Sequence, residues 1–287
     1  MSMFQDIKNG RFYLGDCLEV MKEIPDGVVD MILCDLPYGT TACSWDSIIP
    51  FEPLWEQYNR VCKENAVMVF TATQPFSSSL VMSNPENYRY SFYWRKHIAS
   101  GYQNAKKQPM RDIEECLVFY RKFGRYFPQG LIEKKTKRIN KVNAAKSIVG
   151  GKEGAGGLRT QGNEWEQTHT NYPKSCLEIN GVTRGKIHPT QKPVELFEYL
   201  IRTYTNEGDL VLDNCAGSGT TAIAAENCGR KWVCIEQLEE YANKAVERIL
   251  NHAPEVKPDL TIQIENDITN KLRVLNDSSS QLSNRSS

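Results

Sequence analysis

Apolar residues recur along the chain in two alternating rhythms. Val28–Asp35 (VVDMILCD) is an almost continuous apolar run of strand length, the pattern of a strand buried on both faces. Ala66–Ala72 repeats it, and a helix around Pro53–Lys63 lies between the two. Upstream, Phe12–Gly15 reads as a short strand, followed by the amphipathic segment DCLEVMKEI and a Pro-Asp-Gly turn. A further helix starts near Gln74. The aromatic and β-branched stretches YRYSFYWRK and ECLVFYRK then predict two more strands. After Pro193 the rhythm is helix VELFEYLIRTY, strand DLVLDNC, helix from Gly219, strand KWVCIE, helix LEEYANKAVERIL. Strands alternating with helices predict an α/β fold with a doubly wound, mostly parallel sheet.

The pattern lapses between Phe123 and Ile187, where Gly, Lys, Asn and Thr dominate around GGKEGAGG. That stretch reads as loops or a small inserted subdomain. The expected division is a main domain of residues 1–126 and 186–252, an insert at 127–185, and a tail at 253–287. The tail ends DSSSQLSNRSS, too polar to pack, and is expected to be partly disordered.

Composition narrows the class. The chain has 287 residues, and its 35 Lys+Arg balance 35 Asp+Glu. No run of about 18 apolar residues occurs and MSMFQDIKNG has no apolar signal core, so neither membrane spanning nor secretion is expected. Nine cysteines without a C-x-x-C pair suggest buried reduced thiols rather than a disulfide framework, and no metal site is expected. The neutral total is an average. Residues 95–146 carry a net +10, flanked by −6 over residues 1–94 and −6 over residues 193–287. Such a block suits a polyanion partner.

Two strand ends carry candidate chemistry, because ligands of doubly wound sheets bind where strands end and helices begin. The first is Asp213-Asn-Cys215-Ala-Gly217-Ser218-Gly219-Thr220. There an acidic strand tip precedes a small-residue turn whose backbone can approach a ligand closely and a helix N-terminus with exposed amides. About twenty residues later KWVCIE ends in Glu236, placed to receive the two hydroxyls of a ribose. The turn fits neither G-x-G-x-x-G nor a P-loop, so a dinucleotide oxidoreductase is disfavoured. The second end is Asp35-Leu36-Pro37-Tyr38-Gly39. A carboxylate at a strand tip can accept a hydrogen bond from an exocyclic amine, Pro37 stiffens the turn, and Tyr38 offers a flat face to a base.

At these residues the chain resembles the N6-adenine/N4-cytosine DNA methyltransferases. DLPY is similar to their D-P-P-Y motif and DNCAGSGTT to their cofactor loop. The catalytic motif comes first, as in the circularly permuted β-group. Gly15-Asp16 precedes Asp35 at the family's spacing, which implies that Asp16 contacts the cofactor adenine. His188-Pro-Thr190-Gln191-Lys192-Pro193 resembles the segment that contacts the methionine end. Leu36 departs from the family's usual proline, although its backbone carbonyl stays available.

The resemblance, over roughly residues 10–126 and 186–252, implies a Rossmann-like methyltransferase fold and S-adenosylmethionine as cofactor. It further implies double-stranded DNA as substrate, with an adenine flipped into the pocket, stacked on Tyr38 and methylated at N6. The leading Asp is similar to adenine-modifying members, with cytosine N4 as the alternative. A non-catalytic DNA-binding module is a more distant one. The insert is then the target-recognition region, and Arg95, Lys96, Lys134, Lys135, Lys137 and Arg138 are candidate phosphate contacts. An intracellular protein of prokaryotic or phage origin and a homodimer are expectations of the resemblance; whether a partner nuclease exists is not legible.

Overall fold

The computed structural model describes residues 3–40, 46–140 and 165–253, without the side chains of 135–140 and 165–167. The described residues divide into two compact units, one holding those of 3–127 and 174–253 and the other those of 128–173.

Within the first unit nine strands form one sheet. In chain order these are β1 (Met3–Ile7), β2 (Gly10–Leu14), β3 (Val29–Cys34), β4 (Cys62–Ala72), β5 (Tyr88–Ser100), β6 (Arg111–Phe119), β9 (Cys176–Glu178), β10 (Leu210–Asp213) and β11 (Lys231–Glu236). The spatial order is β1-β2-β11-β10-β3-β4-β6-β5-β9. The five strands from β2 to β4 run parallel, and β6 lies antiparallel to both β4 and β5. This is the doubly wound, mostly parallel sheet expected from the alternating pattern.

Helices cover both faces. α1 (Cys17–Met21), α2 (Phe51–Val61) and α3 (Phe76–Ser83) pack on one, through Met21, Leu54, Tyr58 and Leu80. α4 (Val194–Tyr204), α5 (Thr220–Asn227) and α6 (Glu239–Asn251) pack on the other, through Phe197, Ile201, Ile223 and Ile249. β3 supplies Met31 and Leu33 to the second face and Ile32 and Cys34 to the first, which is why its sequence is apolar at every position but Asp30. Each such side chain contributes roughly 1.5–3 kcal/mol of burial. The connection after β10 crosses to one face and that after β3 to the other, so a crevice opens between their C-terminal ends.

Four features depart from the sequence reading. The exposed hairpin strand β1 was not expected, since MFQDI buries only Ile7. β5 and β6 reach to Ser100 and Arg111, beyond the aromatic stretches that predicted them, because pairing resumes at Ser100–Arg111 after a bulge, where side chains are already exposed. β9 pairs with β5, so residues from Lys174 onward belong to the first unit rather than to an insert ending at 185. In the second unit β7 (Ile132–Asn140) and β8 (Trp165–Thr170) form an antiparallel pair that the Gly- and Lys-rich composition did not reveal. The eight described cysteines are free thiols, six of them buried. No helix of the described residues is long and apolar enough to cross a membrane.

Candidate active site

A cavity of about 450 Å³ fills the crevice, and both candidate strand ends line it. At one end the turn after β10 is braced from several sides. Asp213 is buried beneath it and does not line the cavity: its carboxylate accepts from the Cys215 amide at 3.0 Å and from the Thr221 hydroxyl. Burial pushes that carboxyl up to about 6. Asn214 accepts from Tyr58 Oη at 2.6 Å, tying the turn to α2. Gly217 takes φ +51°, and a Cβ there would meet the His188 ring at 3.6 Å. Gly219, at φ +70°, caps α5 without lining the cavity. Ser218 and Thr220 do line it, their hydroxyls 3.1 Å apart, and Arg248 of α6 donates to both residues.

Glu236, at the tip of β11, accepts the Gly217 amide at 2.8 Å with Oε2 and the Leu238 amide at 2.9 Å with Oε1. Burial pushes its carboxyl up while these amides pull it down. Asp16 caps α1, accepting from the amides of Leu18 and Glu19, and also faces the cavity. A nucleoside with an acceptor carboxylate for its ribose and a glycine turn for close approach fits this end.

The other end is built on Asp35. Its Oδ1 accepts from Tyr38 Oη at 2.7 Å and from the Thr71 hydroxyl; its Oδ2 accepts from Lys192 Nζ at 2.8 Å. The register explains the assembly: Cys34 pairs with Phe70, Thr71 with Cys116, and Trp94 with Glu114. With a side-chain period of two, Asp35, Thr71, Glu114 and Lys96 fall on one face of neighbouring strands. Lys192, from the segment before α4, comes down onto that row. It lies 3.4 Å from Glu114 Oε2, an ion pair without hydrogen-bond geometry, while Lys96 binds Glu114 Oε1 at 2.8 Å. Burial opposes the Lys192 charge, yet Asp35 and Glu114 raise its pKa above the ordinary lysine value. Burial opposes the Glu114 charge too, but Lys192 and Lys96 outweigh it and lower its pKa.

Tyr38 stacks on Phe76, ring centroids 5.1 Å apart at 26°, so any base would have to use its opposite face. Burial, chiefly, and Asp35 raise its phenol well above the usual value, which keeps it a donor. Pro37 lines the cavity. Asp46 holds the turn by accepting the amides of Gly39 and Thr40, each at 2.9 Å.

In the HPTQKP segment, His188 meets Tyr241 edge-on at 4.4 Å and Thr190 Oγ1 lies 3.1 Å from His188 Nδ1. Gln191 accepts the Ile187 amide. Thr190, Gln191 and Lys192 all line the cavity, but the Lys192 ammonium is committed to Asp35.

The basic block does not form one surface. Arg121 donates to carbonyls of Asn59, Cys62 and Lys63, and Arg125 pairs with Asp209, at the edge where the parallel strands begin. These cations therefore brace the edge opposite the cavity. Lys96 is turned inward to Glu114, and Trp94 is buried with Nε1 donating to Ile179 O. Arg95 remains exposed, 3.6 Å from Asp112 and 3.7 Å from Glu178. Lys134 is half-buried on β7; the side chains of Lys135, Lys137 and Arg138, most of the insert and the tail from 254 lie outside the described residues. Sequence reasoning missed Thr71, Glu114 and Asp46, whose roles depend on register or on a turn between distant positions.

The switch-point crevice, joining a ribose-type acceptor to a braced carboxylate, defines an α/β enzyme that works beside a nucleoside. A family model described as DNA methylase, for N6 and N4 methyltransferases, matches residues 29–247, and the chain belongs to that family. It is 27% identical over 252 residues to the Type II methyltransferase M1.MboII of Moraxella bovis, covering 80% of this chain and 92% of that one. It is 28% identical over 255 residues to the DNA adenine methyltransferase YhdJ of Escherichia coli, covering 82% and 81%. Among solved structures it is similar in fold to the M1.HpyAVI–SAM complex, with TM-score 0.55, 23% identity and coverage of 83% and 99%. It is likewise similar to the cytosine-N4-specific PvuII DNA methyltransferase, with TM-score 0.58, 18% identity and coverage of 92% and 93%. The protein is a DNA methyltransferase.

Proposed function

We propose that the chain methylates the N6 amino group of an adenine flipped out of double-stranded DNA, using S-adenosylmethionine. The observation that carries this reading is Asp35, a strand-tip carboxylate held by three donors in the same cavity as Gly217 and Glu236. The cofactor supplies an electrophilic methyl group on a sulfonium. Glu236 and Asp16 would hold its nucleoside, and the Gly217–Thr220 turn the remainder.

Everything else falls to the chain's own groups. An ionised carboxylate offers about four lone-pair directions, and Tyr38, Thr71 and Lys192 use three. The remaining direction would accept one amine hydrogen, and the Leu36 or Pro37 carbonyl the other. Hydrogen bonds to both hydrogens oppose delocalisation of the nitrogen lone pair into the ring and aim it for in-line attack. Positioning and fixed charge supply the rate.

Adenine is preferred over cytosine because a leading Asp in this motif is similar to the adenine-modifying members; one of the relatives bears that activity in its name. Cytosine presents a similar amine, and the fold is shared with a cytosine-N4 enzyme. The test is nucleoside analysis of DNA incubated with the protein and isotopically labelled cofactor. Labelled N6-methyladenine is expected; labelled N4-methylcytosine would replace the base assignment, and unlabelled DNA would reject the activity. Single-molecule sequencing of the same DNA reports the sequence context.

A further inference from the structure

The β5–β6 hairpin is the part of the first unit that the catalytic machinery leaves unexplained. Residues 95–111 contain five basic side chains and no acidic one. From His97 to Pro109 every residue except Ala99 is exposed, with Ile98 at 68% and Tyr102 at 81%. Among the described residues Tyr102 makes no ring contact and no side-chain hydrogen bond, and Lys106, Lys107 and Arg111 pair with no carboxylate. An exposed aromatic ring on a tip of unpaired cations offers a stacking face and positive charge together, the combination that suits a nucleic acid.

The stem is firm. Strand pairing runs from Tyr88–Phe119 to Arg95–Ile113, Lys96 binds Glu114 at 2.8 Å, and β9 flanks the hairpin on its other side. At the tip Gly101 takes φ +91°, opening the short 3-10 turn Tyr102–Asn104 that presents the ring. The register also sets the direction. Ala72, at the C-terminal end of β4, pairs with Glu115, so the hairpin continues outward from the strand edge that carries Asp35. From the Trp94–Glu114 pair to the Ser100–Arg111 pair the arm advances about 10 Å at strand rise, measured along β6, with a bulge on β5 between Arg95 and Ser100. Its stem is linked to Asp35 through Lys96, Glu114 and Lys192.

We infer that this hairpin enters the DNA duplex beside the target base, with Tyr102 filling the stack that the flipped base vacates and Lys106, Lys107 and Arg111 on the flanking phosphates. This rests on the base-flipping methyltransferase reading above. Extruding a paired base costs unstacking energy, least when the base is already unpaired, and an aromatic ring stacked in the gap recovers part of it. The positive tip favours the polyanion over a second copy of the chain, whose identical hairpin would repel it.

The test uses the full chain with two duplexes of the same methylated site, one fully paired and one with the target base opposite an abasic position. Tyr102→Ala should lower kcat/KM on the paired duplex about tenfold or more, with most of the loss recovered on the abasic duplex. Tyr102→Phe should stay near wild type. Lys106→Ala combined with Lys107→Ala should weaken both duplexes alike and reduce the salt dependence of log Kd by about 2. Cofactor affinity, measured by calorimetry, should be unchanged in all of them, which also checks folding. Equal rates for wild type and Tyr102→Ala, or equal losses on both duplexes, would overturn the insertion. A changed oligomeric state with unchanged duplex affinity would assign the tip to a copy of the chain instead. A wild type inactive on both duplexes rejects the activity itself, and the insertion with it.

Discussion

Lys192 Nζ lies 2.8 Å from Asp35 Oδ2, so the lysine of the HPTQKP segment binds the catalytic-motif carboxylate across 157 positions of sequence. The same ammonium neutralises Glu114. Removing it leaves two carboxylates facing each other with only Lys96 in reach, and breaking such a buried set costs about 3–5 kcal/mol. Lys192→Met is expected to lose that stability and most methyl transfer while retaining cofactor affinity. Denaturant melts, transfer assays and calorimetry check the three parts; weakened cofactor binding with normal turnover would return Lys192 to a cofactor role.

Asp35→Asn removes the negative charge that faces Lys192 and the incoming amine and turns one side of the group into a donor, towards the Tyr38 and Thr71 hydroxyls or towards Lys192. Transfer is expected to fall by about two to three orders of magnitude, with cofactor affinity intact. Near wild-type turnover in a labelled-methyl assay would remove Asp35 from its role.

Gly217→Val adds a side chain at φ +51° and into the His188 ring. The left-handed backbone alone costs about 1–2 kcal/mol for a residue with a Cβ. Its amide is also the donor to Glu236. Cofactor affinity should therefore drop about tenfold or more, as should that of Glu236→Ala, which calorimetry reads directly.

Asp213 gives a pH signature. Its carboxyl rises from 3.8 to about 6 on folding because it is buried. A raised folded value means the group favours folding when protonated, and its contribution is lost as pH climbs through about 6. The loss is of the order of 3 kcal/mol. Asp213→Asn does not titrate, so its stability relative to wild type should increase between about pH 4 and 6 and level off above. Denaturation at pH 4, 5, 6 and 7 tests this; a constant difference would show that Asp213 does not titrate in that window.

Gly10 lies against the indole of Trp232, which is fully buried and donates to Glu226 Oε1 at 2.8 Å. A methyl group there collides with ring and backbone at once. Gly10→Ala should cost about 1–3 kcal/mol, read as a lower denaturation midpoint with an unchanged slope.

How much of this was legible depends on the range of the interaction concerned. Local patterns determined the parallel strands: VVDMILCD and KWVCIE are mostly apolar, on alternate positions alike, because helices cover both faces of the sheet. The strand-tip residues were also legible, since Asp35, Gly217 and Glu236 stand out by residue type and short-range spacing, and one cavity holds all three. Charge counting was coarser. It located a basic block but could not separate Arg121 and Arg125, which brace the opposite edge, from the free cations of the hairpin, because neighbours in sequence lie at opposite ends of β6. Composition likewise hid the strands whose partners, not whose side chains, hold them: β1, the outer reach of β5 and β6, and β9. The sequence by itself determined the layered fold and the identity of the groups at each strand tip. Only the tertiary structure decided which of them meet, because register across three strands sets Thr71 and Glu114 beside Asp35, and a segment from far along the chain delivers Lys192 to them.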